Sequence, residues 1–195
     1  MKTSHKKITA TSLIIGLLML SGCSSGTPAT ATVPSQKYKT YETQYIQASY
    51  PQDWELIEEK DFPQGTPNST IVIFKSNIKN ELFLTNVNIA HSALPSTMDS
   101  VDYGKQVIAN QKALLQNYNE ISRNEIEIPI SGQSQKVTFV VFEGKRSATD
   151  PVIRFAQLYA VKDTQAYILT AAMLPTEEAS VQASAEDILK SLKIK

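Results

Sequence analysis

The chain has 195 residues, in which 19 Lys and Arg balance 19 Asp and Glu, and it contains one cysteine and seven glycines. The even charge argues against a nucleic-acid-binding protein and against a polybasic membrane binder. The single cysteine excludes an internal disulfide and any multi-cysteine zinc or iron–sulfur site.

The first 22 residues have the organisation of an export signal. Lys2, Lys6 and Lys7 precede residues 8–20, an uncharged run rich in Ile and Leu. A basic start, a short apolar run and small residues at its end are typical of a signal peptide. The 13 residues of the run reach about 20 Å as a helix, against the roughly 30 Å of bilayer hydrocarbon. We therefore predict a lipoprotein signal peptide over residues 1–22 and no permanent membrane-spanning helix.

The segment Leu20-Ser21-Gly22-Cys23 resembles the bacterial lipobox, whose cysteine is acylated, with palmitate among the attached chains, and becomes the first residue of the mature protein. Each buried methylene contributes about 0.8 kcal/mol, so two or more chains give a durable anchor. The resemblance implies a membrane partner through lipid on Cys23. It also implies a place on the cell membrane or outer membrane, facing the extracytoplasmic side. The alternative is an ordinary signal peptide with a cysteine nearby.

Residues 23–40 are small, polar and proline-containing. Such a segment cannot bury enough apolar surface to offset its chain entropy, so we predict a disordered tether. Removing residues 1–22 takes three Lys and no acid, which leaves 16 basic and 19 acidic residues and a mild net charge of −3. The remaining residues, 41–195, are enough for one domain with a full core.

The domain alternates short β-like runs with two helical patterns. Asp99 suits a helix start, and Gly104 inside that helix indicates close packing against a neighbouring backbone. Thr176 is the predicted cap of the last helix, whose apolar face is Val181, Ala185, Ile188, Leu189 and Leu192. The predicted helices cover residues 100–118 and the segment after 176, and the eight predicted strands cover 45–50, 54–59, 70–75, 82–91, 121–130, 136–142, 152–161 and 166–174.

The strand faces predict the fold class. Residues 137–142 and 166–174 are apolar on both alternating sets, so these strands require cover on both faces. Tight connections between consecutive strands favour antiparallel pairing. We therefore predict an α+β fold, with an antiparallel central β-sheet covered by helices on both faces, an α/β/α sandwich.

The segment Tyr50-Pro51-Gln52-Asp53-Trp54, the order of the elements and the closing segment from Ile188 to Leu192 resemble the PsbP-like family. The resemblance covers about residues 41–195. That family includes photosystem II extrinsic subunits, a Ran-binding import factor and bacterial lipoproteins of the DcrB type. The resemblance implies a PsbP-like α/β/α sandwich, and it leaves the activity open because these members share little in function.

Three side chains are candidate binding residues. His91 shares a strand side with Val87 and Ile89; it is either a hydrogen-bonded histidine at a strand end or a ligand and acid–base group. Trp54 is either a core residue or part of a cleft lining. Arg154 is expected to pair with Asp150, and contact with a ligand carboxylate is the alternative.

No catalytic constellation is recognisable. The mature segment has one histidine, no serine-presenting Gly-x-Ser-x-Gly turn and no phosphate loop, and its paired acids, Glu58-Glu59 among them, are expected to be solvated. We therefore predict no catalytic residue, no metal and no cofactor. The chain is expected to be a non-enzymatic binding or assembly accessory protein, with an unknown protein partner or small ligand and no nucleic acid. A lipid- or small-ligand-binding lipoprotein and an enzyme of unrecognised type remain the alternatives.

Overall fold

A computed structural model describes residues 37–78 and 82–195. The predicted signal peptide, Cys23 and most of the predicted tether lie outside these residues. Within them the chain forms two α-helices, α1 (Ser100–Leu114) and α2 (Ala179–Lys190), and a 3₁₀ turn at Glu59–Asp61. The same residues form ten strands: β1 (Tyr38–Glu42), β2 (Ile46–Pro51), β3 (Glu55–Glu58), β4 (Thr70–Lys75), β5 (Asn86–Ala93), β6 (Gln116–Ile130), β7 (Gln133–Lys145), β8 (Ile153–Lys162), β9 (Gln165–Met173) and β10 (Lys193–Ile194).

All described strands belong to one sheet, in the order β1-β2-β10-β6-β7-β8-β9-β5-β4-β3. Neighbouring strands pair antiparallel, except where β10 meets β6 in parallel at Ile194 and Ile130. The predicted α+β class with a mainly antiparallel sheet is confirmed. Strands β2 and β3 are separated by residues 52–54 alone, yet they stand near opposite ends of the strand order.

The sheet curls until its two ends meet. The Phe74 ring of β4 lies 4.9 Å from the Tyr50 ring of β2 and 5.9 Å from the Tyr41 ring of β1, measured between ring centroids. These strands are near opposite ends of the strand order. Because Phe74 is fully buried, the meeting of the two ends is part of the main core and not a surface contact.

Alternate side chains of the central strands enter different cores. On β8, Leu158 belongs to the main core together with Ile188 of α2, whereas Tyr159 belongs to a second cluster together with Ile108 of α1. The prediction that these strands are apolar on both sides is thereby confirmed. The prediction that helices cover both faces is wrong: α1 packs mainly on β7 and β8 and α2 on part of the other side, and the curled sheet covers much of its own inner face.

The structure also corrects several element boundaries. β1 begins at Tyr38, inside the predicted tether of residues 23–40. Helix α1 ends at Leu114 and not at 118, because Leu115 is already extended and Asn117 has a positive φ of 55°. The long β6 then starts at Gln116. Helix α2 has Glu178 and not Thr176 at its N-cap, without a side-chain cap bond, because residues 174–177 first form a turn through the Glu177 N–H and the Leu174 carbonyl.

Asp99 is the N-cap of α1. Its Oδ1 accepts hydrogen bonds from the backbone N–H of Val101, at 2.8 Å, and of Asp102, at 3.3 Å. We expect Asp99→Ala to lower the free energy of unfolding by about 1 kcal/mol, since two helix-end donors lose their partner. Urea denaturation followed by circular dichroism measures this change. Asp99→Asn should retain most of the stability, and equal losses in both variants would contradict the capping role.

Candidate functional site

A pocket of about 840 Å³ opens at one end of the curled sheet. It lies where the turn between β1 and β2 approaches the end of β3, the start of β4, the end of β5 and the start of β9. Its wall consists of aromatic rings, acids and amides, namely Tyr41, Tyr45, Tyr167, His91, Glu58, Glu59, Gln44, Asn68 and Gln165, with Thr43, Thr70 and Ile71 between them. Small-molecule sites commonly have this volume, and the mouth of a curled sheet or barrel is a frequent place for them.

His91 lies in this pocket. Register pairs it with Tyr167 across β5 and β9, and the two ring centroids are 5.2 Å apart. The Nε2 atom of His91 hydrogen-bonds to the Oε1 atom of Gln165, which requires the hydrogen on Nε2. The side chain continues the row of Val87 and Ile89, which are fully buried. His91 thus closes the open end of the inner core and presents its ring to the pocket.

The tyrosines of the pocket are held in different surroundings. Tyr167 is only 4% exposed, whereas Tyr45 is 60% exposed and stands at the rim. Burial raises the pKa of Tyr167, and nearby Tyr45 raises it further. Burial also raises the pKa of Tyr41, with the charge of Glu58 as the second cause. The Tyr41 and Tyr167 hydroxyls therefore stay protonated at neutral pH and can donate hydrogen bonds.

The Glu58 and Glu59 carboxylates line the pocket without a counter-ion. Neither forms an ion pair with a residue of the described ranges, and the lining contains no Lys or Arg. The ammonium group of Lys195 lies close by, at 2.6 Å from the carbonyl oxygen of Thr43, but it is paired with Glu42 at 2.7 Å. The pocket therefore carries an unneutralised negative charge.

The other two candidate residues lie elsewhere. Trp54 is 5% exposed and belongs to the main core; it does not line this pocket. Arg154 donates from Nε and Nη2 to one oxygen of Glu143, at 3.1 and 2.8 Å, and from Nη1 to Gln182 of α2 at 3.0 Å.

The predicted pairing of Arg154 with Asp150 is wrong, because Glu143 is directly opposite Arg154 in the β7–β8 register. Asp150 instead pairs with Arg146 at 3.6 Å.

Sequence reasoning missed most of the pocket. Glu58 and Glu59 were expected to be solvated, and both are exposed, but their place at the wall of a pocket was not predicted. Tyr41 was not singled out. The alternation in β3 places Glu58 on the same side of the strand as Leu56, and this was the available sign that Glu58 faces inward. It indicates a pocket only when β1 is known to lie near β3 and β4, which the local sequence does not show.

Two features are absent from the described part of the molecule. No group of three or more His, Cys, Asp or Glu side chains within residues 37–78 and 82–195 could hold a metal ion. In the same ranges, no helix combines the length and apolar character needed to cross a bilayer.

No protein-family model matches the chain, and no curated protein matches it in sequence. Solved structures do match in fold. Cyanobacterial PsbP (CyanoP) from Synechocystis is similar over 90% of this chain and 99% of its own, with 13% identity and a TM-score of 0.55. LpqN of Mycobacterium tuberculosis, described as involved in cell envelope biogenesis, is similar over 83% and 92%, with 14% identity and a TM-score of 0.54.

The Ran-binding protein Mog1p of Saccharomyces cerevisiae is also similar, over 82% of this chain and 96% of its own, with 9% identity and a TM-score of 0.52. At these identities the matches bear on the fold alone. The predicted PsbP-like fold is confirmed.

Proposed function

We propose that this chain is a membrane-anchored bacterial lipoprotein that acts outside the cytoplasm as a non-enzymatic binding or assembly accessory protein. The anchor part of the proposal rests on the sequence, in which a basic start, a short apolar run and Leu20-Ser21-Gly22-Cys23 follow one another. Lipid on Cys23 would hold the domain at the membrane through a short segment.

The binding part of the proposal rests on one observation above the others. The pocket of about 840 Å³ contains an almost fully buried tyrosine, Tyr167, and two unpaired carboxylates, Glu58 and Glu59. Groups of this kind gain hydrogen-bond and charge partners when a ligand or a partner's side chain enters. Binding is therefore the activity that this arrangement favours.

The geometry around His91 gives no support to a catalytic role. Its side chain hydrogen-bonds to Gln165, an amide that can act neither as a nucleophile nor as a base. A nucleophile–base pair needs the histidine within hydrogen-bond reach of a hydroxyl or thiol.

The similarity in fold to LpqN and to the Ran-binding Mog1p is compatible with an accessory role. A small-ligand-binding lipoprotein is the second candidate, and the pocket volume favours it.

The anchor is tested with Cys23→Ala. We expect the unaltered chain to sediment with the membrane fraction and to incorporate labelled palmitate, because the lipid would be attached to the only thiol in the chain. The variant should lose both properties and appear in the soluble fraction. Membrane association and label retained by the variant would contradict the proposal.

The accessory role is tested by cross-linking the intact protein in its native membrane. One recurrent protein partner, captured by the unaltered chain and lost with Cys23→Ala, would support a tethered accessory protein. Native mass spectrometry of freshly purified protein tests the second candidate, a small-ligand-binding lipoprotein. For such a protein we expect a small molecule to co-purify with the chain. Turnover of a substrate that a pocket substitution abolishes would contradict the non-enzymatic assignment.

A further inference from the structure

The pocket contains a polar group that the fold leaves unused. The Tyr167 residue is 4% exposed, and its hydroxyl has no hydrogen-bond partner among the described residues. No polar side-chain atom of these residues is both buried and unpartnered, so this hydroxyl reaches the open space of the pocket. Since Tyr167 lines the pocket, its hydroxyl is placed to bond to whatever the pocket accepts.

The charge of the lining favours a positively charged ligand. Glu58 and Glu59 contribute two negative charges, and no Lys or Arg side chain lines the pocket. The neighbouring Lys195 is neutralised by Glu42. Both acids are exposed residues, and their carboxylates attract a cation at the mouth of the pocket. An anionic occupant would meet uncompensated repulsion.

The tyrosine rings of the lining favour an organic cation. Tyr41, Tyr45 and Tyr167 are three tyrosines in one pocket, and an ammonium group over such faces gains cation–π attraction, especially when desolvated. No group of three or more His, Cys, Asp or Glu side chains that could hold a metal ion is found among the described residues. The lining therefore fits an organic cation better than a metal.

We propose that this pocket binds a small organic cation, with an ammonium group against the Tyr41, Tyr45 and Tyr167 rings and its charge neutralised by Glu58 and Glu59. The inference rests on the proposed binding function and gives that function its ligand class. The ammonium group belongs either to a free small molecule or to the headgroup of a zwitterionic lipid. Both sources present the same chemistry to the pocket.

The test is calorimetric titration of the full chain with choline and with 3,3-dimethylbutan-1-ol, which has the same shape without the charge. We expect choline to bind about tenfold or more tightly than the neutral alcohol. Glu58→Gln combined with Glu59→Gln should weaken choline binding by about tenfold or more. Glu178→Gln is the matched control, because this exposed acid makes no side-chain cap bond and lies outside the pocket, and it should bind as the unaltered chain does.

A second variant removes a ring and leaves the charge. Tyr45→Leu, at the exposed rim, should weaken choline binding several-fold while leaving the circular dichroism spectrum unchanged. The source of the cation is separated with phosphatidylcholine vesicles and the Cys23→Ala chain, which carries no lipid on residue 23. If the chain sediments with the vesicles and the Glu58 and Glu59 substitutions abolish this, the cation is a lipid headgroup. If the chain binds choline but does not sediment with the vesicles, the cation belongs to a free small molecule.

Equal affinity for choline and the neutral alcohol, choline binding unaffected by the glutamate substitutions, or no choline binding would each overturn the inference. These results leave the proposed function untouched, because that function is judged by palmitate labelling and by partner capture from the membrane. Conversely, if the chain incorporates no palmitate but still binds choline, the lipoprotein assignment fails and the assignment of an organic cation as ligand stands.

Discussion

Phe74→Ala is expected to lower the free energy of unfolding by about 3–5 kcal/mol, the usual cost of truncating a fully buried phenylalanine. Phe74 is 0% exposed, and its ring contacts Tyr50 at 4.9 Å and Tyr41 at 5.9 Å between centroids. The substitution leaves a cavity at the place where the two ends of the sheet meet, and two aromatic pairs are lost with it. Urea denaturation of the full chain measures the change.

The control is Leu114→Ala, which also removes a large apolar side chain but at a position 77% exposed. Its effect should stay within about 0.5 kcal/mol. Phe74→Ala combined with Tyr50→Leu should show a coupling of about 0.5–1.5 kcal/mol, as expected for rings in contact. Additive effects would mean that the rings do not touch and that the sheet is open.

Gly104→Ala is expected to destabilise the protein by about 1–3 kcal/mol, although alanine is the better helix former by up to about 1 kcal/mol. A Cβ atom at Gly104 would lie 2.7 Å from Oγ1 and 2.8 Å from Cβ of Thr138, and 3.2 Å from Cδ2 of Tyr159. The Cβ of Thr138 is fixed by the backbone of β7, so rotating a side chain cannot relieve the contact. Helix α1 would have to move away from the sheet.

Gln106→Ala, on the exposed side of the same helix, is the matched control and should be neutral or slightly stabilising. Thr138→Gly removes both close atoms, so the double variant with Gly104→Ala should cost less than the sum of the two single changes. A stabilising Gly104→Ala would contradict the close approach of α1 to β7.

Local patterns predicted the elements that are buried on both sides or amphipathic. The alternation in β7, β8 and β9 and the apolar face around Ile188 depend on near neighbours in the chain, and these elements were found where the sequence placed them. The side of His91 was also readable, since it continues the row of Val87 and Ile89. Gly104 indicated a close approach correctly, but the partner is the Thr138 side chain and not a backbone.

The rest depends on contacts between distant residues. Strand β1 is largely exposed and polar, and β10 has only two residues, so neither carries a hydrophobic pattern of its own. The pairing of Arg154 with Glu143 follows from strand register, which the sequence does not fix locally. The pocket required the meeting of β1 with β3 and β4, so the place of Glu58 and Glu59 at its wall was not predicted, although their exposure was.

The position of β10 between β2 and β6 also bears on the order in which the protein folds. The hairpin of β1 and β2 is made early in synthesis, yet within the described sheet it joins the other strands through residues near 194. The backbone N–H of Ser49 bonds to the side chain of Ser191, 142 positions away. Contacts between residues so far apart in the chain form slowly, because the entropy of closing the loop is lost before the contact energy is gained. The β1–β2 hairpin therefore completes its pairing with the rest of the described sheet only after the residues near 194 are in place.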